Sequence, residues 1–462
     1  MNFTFICPVK KLNIVLLFIF VTCTRLPYIF DGFGSEDDSW GLILNAQLMA
    51  KTGEYSFSRL PGHPLQEYLF SFFPNSPALF FNGLSALFSF IAAYYFYAAA
   101  TFLKIRNALL WTLIFLSIPI IWISSVYTID YLWALAFILA AFYYLLKEKL
   151  LITGILLGCA IACRITSGAV LVGFLFISGN PFSTINFKRN LIIGTTTILI
   201  AMTWFLPAFM RYGISFFGTY SLPYPSLPKI AYKFSLGVWG ASGFLAIIYL
   251  VYLKIKNKSS TIQPSLLQGM CIILALFTIA YFVYPQKSAF LITVVPFLLL
   301  IVADQPIPYR NAIIANALFF ISPFIIGVNL NNKDRGADYS QFAITLNVAN
   351  QEIFIDPFTG PLKVEKSRRI TRQNFTDVSY QNYFKIKEKS VLLCGWWTNQ
   401  FTVKVNQNSA NPAVTIAEFC NQQQLDSMLQ AGNKIYYLKE INEANDERYL
   451  MEYTSKVASL LE

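Results

Sequence analysis

The chain has 462 residues, of which 56% are hydrophobic, 17% aromatic and only 13% charged, and it carries a formal net charge of +11. A soluble domain carries about 25% charged residues, so this composition excludes an ordinary soluble enzyme and implies a membrane protein. Nor does the positive charge imply nucleic acid: residues 1–328 hold 20 Lys and Arg against nine Asp and Glu, while 329–462 hold 15 of each. The whole excess therefore lies beside apolar segments, where loop Lys and Arg set topology.

A spanning helix needs roughly 20 apolar residues. Lys10 and Lys11 precede an apolar run from Leu12 to about Thr24 that lacks a small-x-small cleavage site, which predicts an uncleaved first span over 11–30. Further spans are predicted over 78–102, 108–126, 129–146, 190–210, 232–253, 265–284, 288–304 and 310–328. Segment 150–178 is long for one helix and short for two, and Arg164 sits at its middle. The basic clusters Lys10/Lys11, Lys104/Arg106, Lys147/Lys149, Lys188/Arg189 and Lys254/Lys256/Lys258 all fall on one side only if this segment passes in and returns near Arg164. About eleven transmembrane helices follow, with the N-terminus cytoplasmic.

The first outer loop, 31–77, holds six of the nine acids of the membrane part (Asp31, Glu36, Asp37, Asp38, Glu54 and Glu67) and the only histidine, His63. Asp130, Arg164, Arg211 and Gln286/Lys287 come out on the same face. Ionisable groups at a membrane are costly and are functional candidates by default. After Leu330 the composition changes: NNKDRGAD reads as a linker, and 331–462 as a small C-terminal α/β domain. Within it, strands are predicted at Val391–Cys394 and Lys434–Leu438. Helices are predicted at Asn421–Gln430, with Asn421 as N-cap, and at Glu443–Leu461. With an odd number of spans this domain is extracytoplasmic, and residues 1–330 form the membrane part. Of seven cysteines, Cys394 and Cys420 lie in the tail and could pair there.

Three adjacent carboxylates, Glu36-Asp37-Asp38, repel one another and suit a general base on a hydroxyl or a divalent-cation ligand. The plainer alternative is a helix N-terminus, where acids meet the positive end of the dipole. In Ser58–Leu69, Pro61, Gly62 and Pro64 fix a tight turn flanked by Arg59 and His63, with Glu67 one helical turn later. Arg59 and His63 are candidate phosphate or metal contacts, although one histidine makes a poor zinc site. Asp130, Arg164 and Lys287 complete a cationic pocket opposite the acids, unless they only meet head groups. GxGxxG followed by an acid, GxxxxGK[ST], HExxH and GxSxG are all absent, which excludes those nucleotide-binding, zinc-protease and serine-hydrolase routes.

The ordered set of Glu36-Asp37-Asp38, Gly53-Glu54-Tyr55, Arg59, Pro61–Leu65, Asp130, Gly154…Gly158…Arg164 and Tyr284–Lys287 resembles the GT-C class of integral-membrane glycosyltransferases. The nearest in style are the protein O-mannosyltransferase and lipid A aminoarabinose transferase group, and the likeness runs over residues 11–328. It implies an inverting transfer of a sugar from a polyprenyl-phosphate-linked donor to a lipid, glycan or protein acceptor on the outer face. Asp37 or Asp38 would be the base, the register leaving both open. Arg59, Arg164 and Lys287 would hold phosphate, with Glu36, His63, Glu67 and Asp130 as further substrate-side candidates. Pro61-Gly62-His63 departs from the Glu-Lys-Pro of the aminoarabinose transferase pattern and removes a carboxylate that the resemblance would assign to a metal, so a divalent metal ion stays an open expectation. A secondary transporter or a non-catalytic membrane scaffold are the alternatives; the one-sided charges and the lack of a half-repeat argue against the transporter.

Overall fold

The computed structural model describes residues 10–218, 223–257, 262–304, 308–330, 340–348, 351–418, 420, 422–438 and 458–459. Helix α1 (Lys11–Arg25) is followed by two short helices of the first outer loop, α2 (Asp37–Thr52) and α3 (Pro64–Ser71). Then come α4 (Ala78–Phe102), α5 (Ala108–Ser117), α6 (Pro119–Ser124), α7 (Tyr131–Leu146), α8 (Leu150–Cys163) and α9 (Ala169–Phe176). The membrane part is completed by α10 (Thr184–Tyr212), α11 (Leu227–Phe234), α12 (Leu236–Trp239), α13 (Ala241–Asn257), α14 (Pro264–Val283), α15 (Val294–Ala303) and α16 (Tyr309–Ile321). Every predicted span contains a helix, and the chain is a multi-pass membrane protein.

The helices are of unequal length. Among the described residues, Lys11–Tyr28, Ala78–Phe102, Thr184–Phe217 and Pro264–Val283 are each long and apolar enough to cross a bilayer. Residues 227–257, bent by 86° at Gly240, add a fifth as one broken span, and the others are shorter. The breaks have causes. Pro119 has no N–H to continue a helix, so the predicted 108–126 span is α5 and α6. Arg25, fully buried, donates to the carbonyl of Leu116 near that break and to Ser125, and lies 4.4 Å over the Trp122 ring. The predicted 310–328 span stops at Ile321, and Gly327–Asn329 is a strand.

Segment 150–178 passes in and back as predicted. Arg164 leaves α8 with an extended backbone, φ −158°. At the other end, Arg189 pairs with Glu148 at 3.2 Å, so the Lys147/Lys149 and Lys188/Arg189 clusters share one face. Gly154 and Gly158 let α8 lie against α10: an added Cβ would come within 2.6 Å of Thr196 and of Ile200, respectively.

The tail opens with β1 (Gly327–Asn329), β2 (Ile344–Val348) and β3 (Gln351–Asp356), antiparallel in the order β1-β3-β2, with Gly327 opposite Asp356. Helix α17 (Pro361–Tyr383) leads into β4 (Ser390–Leu393), α18 (Thr398–Gln407), β5 (Val414–Ala417), α19 (Gln422–Gln430), β6 (Lys434–Tyr437) and β7 (Ala458–Ser459). Strands β5-β4-β6-β7 form a parallel sheet, and the predicted strands are β4 and β6. Of the helix predicted over Glu443–Leu461, only Ala458–Ser459 is described, and it is a strand; the linker 331–338 and the proposed cap Asn421 lie outside the described residues. No disulfide joins Cys394 and Cys420. Alternation along β4 explains why: Cys394 packs with Leu392 on one face of the sheet, and Cys420 with Val391 and Leu393 on the other.

The tail is clamped to the membrane part. Arg369 of α17 donates to the carbonyls of Tyr28 and Val126 at 3.0 and 2.9 Å, Glu365 accepts from Ser35, and α18 packs along α2.

Candidate active site

Five separate pieces of chain meet in one cluster. Glu36 stands just before α2, and Asp37 and Asp38 occupy its first turn. The turn at Arg59–Pro64 follows α2, Asp130 precedes α7, Arg164 marks the break after α8, and Lys287 lies between α14 and α15. Asp38 forms an ion pair with Arg59 Nη1 at 2.5 Å and accepts from Lys287 Nζ at 2.6 Å, and Lys287 also reaches Glu36 at 2.6 Å. Arg59 bridges onward to Asp130, which pairs with Arg164 at 2.9 Å. Arg164 is further held by the rings of Tyr131 and Phe290, 4.4 and 5.1 Å from its guanidinium.

Asp37 is engaged differently. Its Oδ2 accepts from the side-chain amide of Asn399, at 2.5 Å, while its buried Oδ1 has no hydrogen-bond partner among the described residues.

The rigid turn has its own support. Glu67 is fully buried and accepts from the Tyr55 hydroxyl, the Ser58 N–H and hydroxyl, and the His63 N–H at 2.7–2.9 Å. Gly62 adopts φ +96°, and a Cβ there would meet the Tyr55 hydroxyl at 2.6 Å. Glu67 therefore shapes the loop and pairs with none of the site's cations. His63 also bonds within the protein. Its Nε2 accepts from Arg59 at 2.8 Å and its Nδ1 faces the Cys163 carbonyl at 2.7 Å, so the ring orients Arg59. Arg211 stays apart, on Glu54 and the Tyr55 carbonyl, and Gln286 bonds to the Pro223 carbonyl.

No family model matches the chain, and no curated protein does. Solved structures do. ArnT from Cupriavidus metallidurans bound to undecaprenyl phosphate superposes with a TM-score of 0.57 over 94% of this chain and 91% of that one, at 11% identity. The same protein in the apo state gives 0.57 over 91% and 88%, again at 11% identity. The chain has the GT-C fold. At this identity the likeness is one of fold, and it runs through the C-terminal α/β region as well as the helices.

Within this GT-C frame, electrostatics separates the two adjacent aspartates. Burial raises the Asp37 carboxyl to about 7; Arg372 and Asn399 oppose the rise, and Asp38 and Glu418 add to it. Burial acts on Asp38 as well, but Arg59 and Lys287 outweigh it and hold that carboxyl far below its usual range. Burial keeps His63 neutral against the pull of Asp130. With a neutral ring 3.7 Å from Asp130, that contact is not an ion pair.

The donors do not suit a divalent cation. Glu36, Asp38 and Asp130 already face three cations, both nitrogens of His63 are engaged, and no group of three or more His, Cys, Asp or Glu converges among the described residues. The cluster here is built on Arg and Lys.

Asn399, Arg372 and the α17–α18 corner were not anticipated from sequence. They lie more than 330 residues beyond the first-loop residues they contact, Ser35 and Asp37, in a polar stretch without a motif.

Proposed function

We propose that this chain is an inverting glycosyltransferase that moves a sugar from a polyprenyl-phosphate-linked donor to an acceptor at the extracytoplasmic face. The observation that carries the reading is the split between Asp37, held by a neutral amide with its other oxygen unpartnered among the described residues, and Asp38, locked between two cations. A general base works best with a pKa near the operating pH, and Asp37 meets that condition while Asp38 does not. Asp37 takes the proton of an acceptor hydroxyl, whose oxygen attacks the anomeric carbon on the face opposite the phosphate. The bond from that carbon to the phosphate oxygen breaks, and its electron pair leaves on the phosphate. Lys287, Arg59 and Arg164 stabilise that developing charge. Lys287 has three donors and gives two to Glu36 and Asp38, and Arg164 gives Nη1 to Asp130.

An apolar cavity of about 250 Å³, lined by Phe234, Trp239, Ile247, Leu291, Val294 and Leu298 among others, opens four residues after Lys287 in the chain. Its lining suits a polyprenyl chain whose phosphate reaches Lys287. That the similar ArnT structure holds undecaprenyl phosphate supports the same donor class here. The lysine clusters support a cytoplasmic N-terminus and an extracytoplasmic tail.

The test uses the purified full-length chain with a labelled polyprenyl-phosphate sugar and extracted envelope acceptors. Transfer of label with wild type, and its loss in Asp37→Asn, supports the reading. Full transfer in Asp37→Asn removes the base. No covalent product with any donor, as a transporter or scaffold requires, removes the function.

A further inference from the structure

We infer that Asn399, in the C-terminal α/β region, is a positioning residue that aims the Asp37 carboxylate, so that the tail forms part of the transfer site. The inference rests on the reading of Asp37 as the base.

A carboxylate turns easily about its last torsion, whose profile is broad. Asn399 Nδ2 fixes Oδ2, and the oxygen left over, Oδ1, is the buried and unpartnered one. One oxygen is anchored and the other keeps its hydrogen-bonding capacity unused among the described residues.

The approach that allows this contact is built into both helices. Gly41 lies one turn beyond Asp37 on α2, and a Cβ there would come within 3.2 Å of Asn399 Nδ2. Without a side chain at 41, α18 can lower Asn399 onto the start of α2. Arg372 of α17 holds the joint from both sides. It donates to the Ser35 carbonyl at 2.7 Å, just ahead of the acidic triplet, and at 3.2 Å to both the Trp396 carbonyl and Gln400 Oε1, which bracket Asn399. Its guanidinium also lies 4.6 Å over the Trp397 ring. Asn399 is thus placed by a clamp that grips the acids and its own helix together.

The groups facing Asp37 are Arg372 from α17, Asn399 from α18, Glu418 after β5 and Asp38 on its own helix. Asn399 donates to the ionised carboxylate and so favours it. Its removal favours the protonated form and moves the Asp37 titration to higher pH.

The test compares wild type, Asn399→Ala, Asn399→Asp, Asp37→Asn and the double variant Asp37→Asn/Asn399→Ala, each as full-length protein in lipid nanodiscs. Asn399→Ala is expected to lower kcat about 10- to 100-fold, the scale of a misplaced catalytic group, with little change in KM and with the pH midpoint raised. Asn399→Asp keeps the side-chain shape but opposes a carboxylate with a carboxylate, and raises the midpoint further. The double variant is expected to transfer no more slowly than Asp37→Asn. Unchanged midpoints in both Asn399 variants, or losses that multiply in the double variant, overturn the inference. If wild type transfers no sugar, the reading of function falls and the pairing is judged from melting temperatures: a non-additive Asp37/Asn399 cycle supports it and an additive cycle overturns it.

Discussion

Two neighbouring aspartates at the start of one helix end with opposite chemistry because of what reaches them across space. Asp38 faces Arg59 and Lys287, whereas Asp37 faces an amide and the edge of the tail. A base must be ionised to accept a proton, and the Asp37 carboxyl is raised to about 7. Transfer is therefore expected to rise with pH through about 7 and to level off above it, measured as kcat against pH. Asp38 contributes to that rise in pKa, so Asp38→Asn lowers the midpoint while weakening the hold on Arg59 and Lys287. A midpoint that stays fixed in Asp38→Asn counts against the coupling. Glu67 makes a different residue-scale prediction. Glu67→Ala leaves buried donors of Tyr55, Ser58 and His63 unmet, which costs about 3 kcal/mol or more, seen as a lowered melting temperature together with lost transfer. The acids, Arg59, Arg164 and Lys287 were legible in the sequence because charge is rare in this membrane part. The roles of Glu67 and His63 were not, because spacing along a turn does not say whether a side chain points out to substrate or back into its own loop.

At the scale of elements, the packing of α8 on α7 brings Arg164 to Asp130 at one end, and its close pairing with α10 brings Glu148 to Arg189 at the other. Gly158→Ala would set a Cβ 2.6 Å from Ile200 Cβ and 3.0 Å from the Thr197 carbonyl. Overpacking of this kind costs about 1–3 kcal/mol, and because it shifts α8 it should also reduce transfer. Gly83 on α4 has nothing within 4 Å of its would-be Cβ, so Gly83→Ala serves as the tolerated comparison. Equal melting temperatures for the two variants would deny the helix pair its role. Positions of the helices could be read from apolar runs, and the in-and-back path of 150–178 from the basic clusters alone. Their lengths could not: hydropathy does not register the break at Pro119, the bend at Gly240 or the strand at Gly327–Asn329.

For the whole molecule, the basic clusters predict the orientation. In right-side-out vesicles, a membrane-impermeant thiol reagent should label Ser409→Cys, exposed in the tail, and spare Lys149→Cys, exposed on the opposite face. Both are measured against the unsubstituted chain, and the reverse pattern would invert the topology. The tail was recognisable as an α/β unit from the apolar runs at 391–394 and 434–438. Its docking was not recognisable, since Arg369, Arg372 and Asn399 carry no pattern that distinguishes a clamp from a solvated surface.

The hydrogen bond from Asn399 to Asp37 joins residues 362 positions apart. Ribosomes deliver the cations, the acids and the membrane helices before the amide that pairs with Asp37. On the proposed reading, a chain made only as far as its membrane helices would lack the amide that aims the base. Synthesis order would then keep the nascent protein silent until its tail has docked on the first loop.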